Sequence, residues 1–315
     1  MDVSERILTE FDDVLARLEG GANPTASDIQ ALSDLDAGQK KKLAAVWGRV
    51  PATVRTTVVT DAIAVSDDSV HVEFSRLAHV ALSDEEPGVR LMAVEMLRET
   101  LDWASARKLE AVVKADSDES VSAAAAEVLG TFVLGIELNR IDETRGRTIV
   151  ATLRAVAADQ DQPMNVRAAA IESLGACSQE WVEGVILDAL YEEEAPLRLA
   201  SIRAMGASAN KKWLEYLVDQ IASDDAQFRE EAAVACGELA SEDAMESLAL
   251  LLEDEAPDVV EAAVRALGEI GGDLAIETLT MFAEMAEETL GPSIEEATEA
   301  AKVSMFRIDR EETDW

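Results

Sequence analysis

One pattern is written four times between Ala158 and Gly272, and it narrows the possible folds more sharply than composition does. Asp161 begins DQPMNVRAAAIESLG, Glu192 begins EEEAPLRLASIRAMG, Ser223 begins SDDAQFREEAAVACG and Asp254 begins DEAPDVVEAAVRALG. The apolar anchors Val166, Leu197, Phe228 and Val259 recur at one constant interval, each thirty-one positions after the one before. A fixed period of this length marks a solenoid, in which each repeat buries its apolar face only against its neighbours.

Each repeat reads as an acidic turn, an apolar anchor usually followed by Arg, a small residue four positions on, and Leu, Met or Cys eight on, followed by Gly. Val166, Ala170 and Leu174 share one helical face, because positions i, i+4 and i+8 stack. Gly175, Gly206, Gly237 and Gly268 stand where a left-handed residue would end that helix. A second apolar helix follows, as in Trp181–Leu190 or Ala244–Leu252. The turn acid lies five positions before the anchor, at Asp84, Asp116, Asp161, Glu192 and Asp254. The Arg lies one position after the anchor, at Arg55, Arg90, Arg167, Arg198 and Arg229. Guanidinium and carboxylate at these phases can pair along the stack; the plainer reading is that the acid is only a helix-start signal.

The D-x-x-x-x-V-R-x-x-A-x-x-x-L-G unit resembles HEAT repeats, in particular the short variety associated with phycobilisome lyases, over about Thr53 to Phe306. The resemblance implies an all-α fold: an α-solenoid of about eight HEAT-like helix pairs. It implies little about function, since such repeats serve scaffolds, adaptors and some enzymes.

The chain divides by sequence into an N-terminal helical cap (1–50), a repeat array (51–306) and an acidic tail (307–315). Asp2–Leu18 reads as an amphipathic helix with Ile7, Phe11, Val14, Leu15 and Leu18 on one side, and Lys40–Lys42 as a solvated basic run. From Val121 to Val166 the step is 45 residues, 14 beyond the period. The extra residues predict a Val121 helix that runs on to Leu138 or bends at Gly130 and Gly135, either a joint near 130–145 or a loop without a role. Trp103, Trp181 and Trp213 open second helices, where they cover the ends of helix pairs or line a binding edge. Cys177 and Cys236 lack a CxxC spacing and read as buried, reduced thiols.

Acids number 64 and bases 27, a net charge of −37. That charge argues against nucleic acid and suits either a basic partner or a salt-rich setting. No run approaches 18 apolar residues and the acid-bearing N-terminus has no apolar signal core, so the expectation is a cytoplasmic protein without membrane contact. His71 and His79, eight apart, lack a third ligand, and no P-loop, GxGxxG or GxSxG occurs. The sequence therefore offers no catalytic residue, no cofactor and no metal ligand. It reads as a non-catalytic scaffold or adaptor, with a bilin lyase or lyase-like chaperone as the alternative that the repeat resemblance allows.

Residues 221–315 hold 26 acids and 5 bases, a net of −21, whereas residues 1–220 carry −16. If the anchor helices line one face, Glu230, Glu231 and Glu261 share an acidic patch bordered by Leu199 and Arg203, suited to a basic segment of a protein partner. Truncating Leu174 to Ala should lower stability by roughly 2–5 kcal/mol, by removing methylenes and leaving a cavity. Denaturant unfolding measures this, and native-state hydrogen exchange should place the loss in the adjoining repeats.

Overall fold

A computed structural model describes residues 3–68, 72–286 and 288–311, with side chains over 11–303 apart from 69–71, 287 and 288. His71 and the last residues of the tail lie outside it, as does the Ile7 side chain. Among the described residues every regular element is helical. The chain forms two compact units, Met1–Ala170 and Ile171–Trp315.

The first unit holds α1 (Val3–Glu19), α2 (Ala26–Ala31), α3 (Ala37–Trp47), α4 (Ala52–Asp68), α5 (Ser75–Ala81), α6 (Pro87–Glu95), α7 (Trp103–Ala115), α8 (Glu119–Glu137) and α9 (Glu143–Ala158). Here α4 packs on α6 and α6 on α8, while α3 packs on α5, α5 on α7 and α7 on α9. The pattern already begins with α2 on α4 and α1 on α3, so the N-terminal cap keeps the alternation of the array. Side-chain caps begin α2, α3, α7, α8 and α9: Thr25 and Asp36 form capping boxes, and Asp102, Asp118 and Asp142 accept from first-turn amides.

The residues beyond the period near 130–145 lie in one unbroken helix and the turn after it. α8 continues to Glu137, and a Cβ on its Gly135 would stand 3.1 Å from the Ile141 side chain. The division between units falls instead within α10 (Met164–Leu174). α8 is also long and apolar enough, by length and composition, to cross a membrane, although no unbroken apolar run in it reaches that length. Its apolar residues Val121, Leu129, Phe132 and Val133 are buried, and the helix packs on α6, α7 and α9.

The second unit continues with α11 (Trp181–Leu190), α12 (Ala195–Ala207), α13 (Leu214–Ile221), α14 (Ala226–Glu238), α15 (Met245–Leu251), α16 (Pro257–Ile270), α17 (Gly272–Ala283) and α18 (Gly291–Glu311). The anchor helices form one layer, α12 on α14, α14 on α16 and α16 on α18. The partner helices form the other, α13 on α15 and α15 on α17. Leu197, Phe228 and Val259 are buried from the first layer, and Leu217, Leu248 and Leu279, which recur at the same period, from the second. The expected charged tail is helical as far as Glu311, because α18 runs on past Phe306.

Of the four repeat glycines only Gly175 stands at the end of its helix, just after α10. Gly206, Gly237 and Gly268 lie inside α12, α14 and α16, and the left-handed residues come three positions later, at Ala209, Ala240 and Gly271 (φ 48°, 46° and 74°). What the glycines supply is proximity. A Cβ on Gly175, Gly206, Gly237 or Gly268 would stand 2.6, 2.9, 2.9 or 2.8 Å from the Cα of Ala204, Ala235, Ala266 or Ala297 in the next anchor helix. Glycine thus meets alanine once in each of these four repeats, and backbone meets backbone.

The Arg–Asp ladder is present. Arg90 donates to both Asp116 carboxylate oxygens (2.7 and 2.6 Å), and Arg229 to both of Asp254 (2.7 and 2.8 Å). Arg55 pairs with Asp84 and Glu85, its Nε 2.8 Å from Asp84 Oδ2 at an angle that leaves that N–H without a hydrogen bond. Each Arg also holds the turn before its own helix, through Val50 O, Asp84 O or Ser223 O. Where Ser223 replaces the acid, Arg198 lies over the Phe228 ring instead, 4.3 Å from its centre.

Two glycine-to-alanine changes should have opposite signs. Gly184 in α11 has open space around it, so Gly184→Ala should stabilise by roughly 0.5–1 kcal/mol through helix propensity. Gly237→Ala should cost about 1–3 kcal/mol net, because the Ala266 backbone must move away. Urea unfolding of both variants checks the pair.

Candidate functional site

The residues proposed from sequence in the second unit are only partly brought together. Arg203 on α12 reaches across its neighbours: one guanidinium nitrogen bonds the Glu231 carboxylate on α14, and the other lies 3.5 Å from Glu172 on α10. The hydrogen bond to Glu231 holds the Arg203 guanidinium well above its ordinary range. Leu199 does not border a surface. Its side chain is buried. Glu230 is half-buried and Glu261 exposed, and among the described residues neither has an ion-pair or hydrogen-bond partner. So Glu231 is engaged by Arg203, while Glu230 and Glu261 occupy the same phase of adjacent helices and keep their charges open.

Two further acids, Glu238 and Glu269, belong to this face and escaped the sequence reading. Each follows a repeat glycine and folds its carboxylate over the glycine of the preceding helix, Glu238 over Gly206 and Glu269 over Gly237. Enclosure there pushes the Glu238 carboxyl upward, with repulsion from Glu269 and Glu172 adding to it, although the rest of the side chain is solvent-exposed. Enclosure raises Glu269 too, against the pull of Arg265. The missed signal was the Gly-Glu dipeptide, which repeats at the period of the anchors.

The first unit contains a polar chain that the sequence did not announce. Lys40 is not part of a solvated basic run: Lys42 turns outward to Asp12 (2.7 and 2.8 Å), but Lys40 turns inward to His79. A lysine ammonium can only donate, so its 2.9 Å contact makes His79 Nδ1 the acceptor and places the ring proton on Nε2. Nε2 then donates to Ser105 Oγ at 2.8 Å, and Ser105 Oγ donates to Asp102. Asp102 also caps α7 through the Ala104 and Ser105 amides. The chain Lys40–His79–Ser105–Asp102 therefore runs from cation to anion through α3, α5 and α7, with one consistent direction of donation. Burial, then the positive charges of Lys40 and Lys108, lowers the His79 pKa to about 4. Burial also lowers Lys40, and Lys108 adds to it. Burial opposes ionisation of Asp102, but hydrogen bonds from Ser105 and Ala104 outweigh it and keep the carboxyl below its ordinary value.

Of the other candidates, Trp213 is buried against Tyr216, with Lys212 over its ring, so it covers a helix-pair core. Cys177 and Cys236 are buried thiols, and burial pushes the Cys236 thiol up to about 12. Among the described residues no group of three His, Cys, Asp or Glu side chains is placed to hold a metal ion.

Residues 214–290 match the family model for HEAT repeats, so the repeats of that stretch are of the HEAT type. No curated protein sequence matches the chain. Among solved structures it is similar to YibA of Escherichia coli, at 14% identity over 94% of this chain and 96% of that one, with a TM-score of 0.44. It is also similar to importin beta, at 14% identity and a TM-score of 0.49, over 94% of this chain and 47% of that one. Human deoxyhypusine hydroxylase aligns at 17% identity over 95% and 98% of the two chains, with a TM-score of 0.35.

His79 gives the first unit a particular dependence on pH. The folded state keeps the ring neutral down to about pH 4, whereas the unfolded chain protonates it near the ordinary value of 6.5. The unfolded state thus binds more protons between these values, and stability should fall as pH drops through that window. Melting temperatures taken across that window should decline more steeply for the natural chain than for His79→Gln. Parallel curves would contradict the assignment.

Proposed function

We propose that this HEAT-repeat chain is a non-catalytic scaffold whose second unit engages a basic segment of a protein partner. The observation that carries this reading is the charge of residues 221–315, 26 acids against 5 bases, together with the open carboxylates of Glu230 and Glu261 on successive anchor helices. Repeat arrays present side chains of equal phase at regular spacing, which suits an extended ligand with charges along its length. Arg203 sets an internal limit to the acidic face, since it neutralises Glu231 and draws Glu172 toward itself. Attraction of this kind speeds encounter and weakens with salt more than it deepens affinity.

The test starts from a partner captured from the source cells and identified by mass spectrometry. Glu230→Gln with Glu261→Gln removes two charges at nearly constant shape and leaves the Arg203 pairs intact. Affinity for the partner should fall roughly 2–10-fold, as exposed charge pairs are worth about 0.2–1 kcal/mol each. The slope of affinity against salt should flatten, while the melting temperature stays the same. Unchanged affinity and unchanged salt slope would remove the acidic face from the interaction.

A further inference from the structure

The first unit holds a cavity of about 420 Å³ lined by Lys40, Trp47, Arg55, His79, Ser83 and Lys108, among others. Its charge runs against the rest of the chain. The protein has 64 acids and only 8 lysines, yet two of those lysines face this one space, from α3 and α7. Among the described residues no carboxylate lies within ion-pair distance of Lys40 or Lys108. The one polar partner of Lys40 there is the neutral His79 ring. The acids of the lining are already occupied. Asp84 is fully buried and holds Trp47 Nε1 (2.6 Å), Arg55 and the Glu86 amide, and Glu85, at the exposed rim, pairs with Arg55.

The polar chain behind the cavity explains why Lys40 points inward. His79 can accept from Lys40 only because its Nε2 proton goes to Ser105 and the Ser105 proton to Asp102. That chain fixes the ammonium at the cavity wall but does not neutralise it locally: the balancing carboxylate sits two groups away. Lys108 adds a like charge near it, and Arg76 on α5 another. Two like charges held toward one space destabilise the protein without a ligand, and the arrangement gains stability when an anion lies between them. Ser83 supplies a hydroxyl, and Trp47, Ala44 and Val80 supply an apolar wall.

We propose that this cavity binds a compact dianion: phosphate, or the phosphoryl group of a small phosphate monoester. Two ammonium groups serving one space match a ligand whose charge is concentrated on one centre rather than divided between distant carboxylates, and lysine binds phosphate as a point charge. The apolar wall beside the lysines accommodates the organic part of a monoester.

Calorimetry and thermal unfolding of the full chain test this with three probes at matched ionic strength: inorganic phosphate, glycerol 3-phosphate and succinate. Saturable binding of either phosphate supports the site, and the tighter of the two identifies its source, free phosphate or monoester. Lys108→Met should weaken that binding by roughly tenfold or more, the loss of one charge-assisted contact. Lys211→Met, on the second unit, should leave it unchanged. In phosphate-free buffer Lys108→Met should also raise the melting temperature, because it relieves repulsion with Lys40. A lysine kept for stability alone would lower it, and that result would overturn the proposal. So would the absence of saturable binding by both phosphates, or tighter binding of succinate.

Discussion

The architecture of the array follows from how closely successive anchor helices approach. Glycine in one helix faces the backbone of alanine in the next, at Gly175–Ala204, Gly206–Ala235, Gly237–Ala266 and Gly268–Ala297. Removing one Cβ per repeat lets two backbones pack with little between them. The larger side chains, Leu, Val and Ile, are then left to fill the space between the two layers. This explains why so few aromatic residues suffice, 4% of the chain. It also explains why the spacing of the glycines equals the spacing of the anchors: both are set by one contact repeated along the array.

Much of this was legible in the sequence. The period of the repeat located the helix pairs, the buried anchors and the Arg–Asp phases, because those features recur and recurrence separates them from chance. The role of the glycines was not legible. A glycine near a helix end looks alike in sequence whether it turns the chain or admits a neighbour, and only the positive φ at Ala209 and Ala240 shows that the turn lies elsewhere. Leu199 was misplaced for a related reason. An angular position relative to one anchor says which way a side chain leaves its helix, but not that a second helix covers it there. Lys40 and His79 are distant in sequence and do not recur, so no periodic argument could have joined them. Glu238 and Glu269 did recur, but they follow the glycines at which the sequence places the helix ends.

The charges divide into two populations with different work. The ladder pairs are turned inward: the Arg55 and Asp84 side chains are 3% and 0% exposed, and those of Arg90 and Asp116 10% and 7%. Buried pairs of this kind contribute less to net stability than to geometry, since desolvation offsets much of their attraction. Their geometry is particular, because each Arg clamps the turn before its own helix and the acid of the following turn at once. The second population, on the surface, is overwhelmingly acidic and has few partners. Solubility and the proposed recognition of a basic segment rest on that population alone.

The ladder also governs how such a chain can change its length. Every rung joins an Arg of one repeat to an Asp of the next, as in Arg55–Asp84, Arg90–Asp116 and Arg229–Asp254. Copying a whole repeat copies one of each, and the new Arg finds the next Asp while the new Asp finds the preceding Arg. Duplication or loss of a complete repeat therefore leaves no rung unmatched, whereas a break inside one strands a buried charge. Ser122 and Ser223 mark places where a rung has lapsed, and at the second of these Phe228 has taken the orphaned guanidinium on its ring. The lineage of this protein could thus lengthen or shorten by whole modules, and a single lost acid could be absorbed by an aromatic neighbour without unpicking the modules on either side.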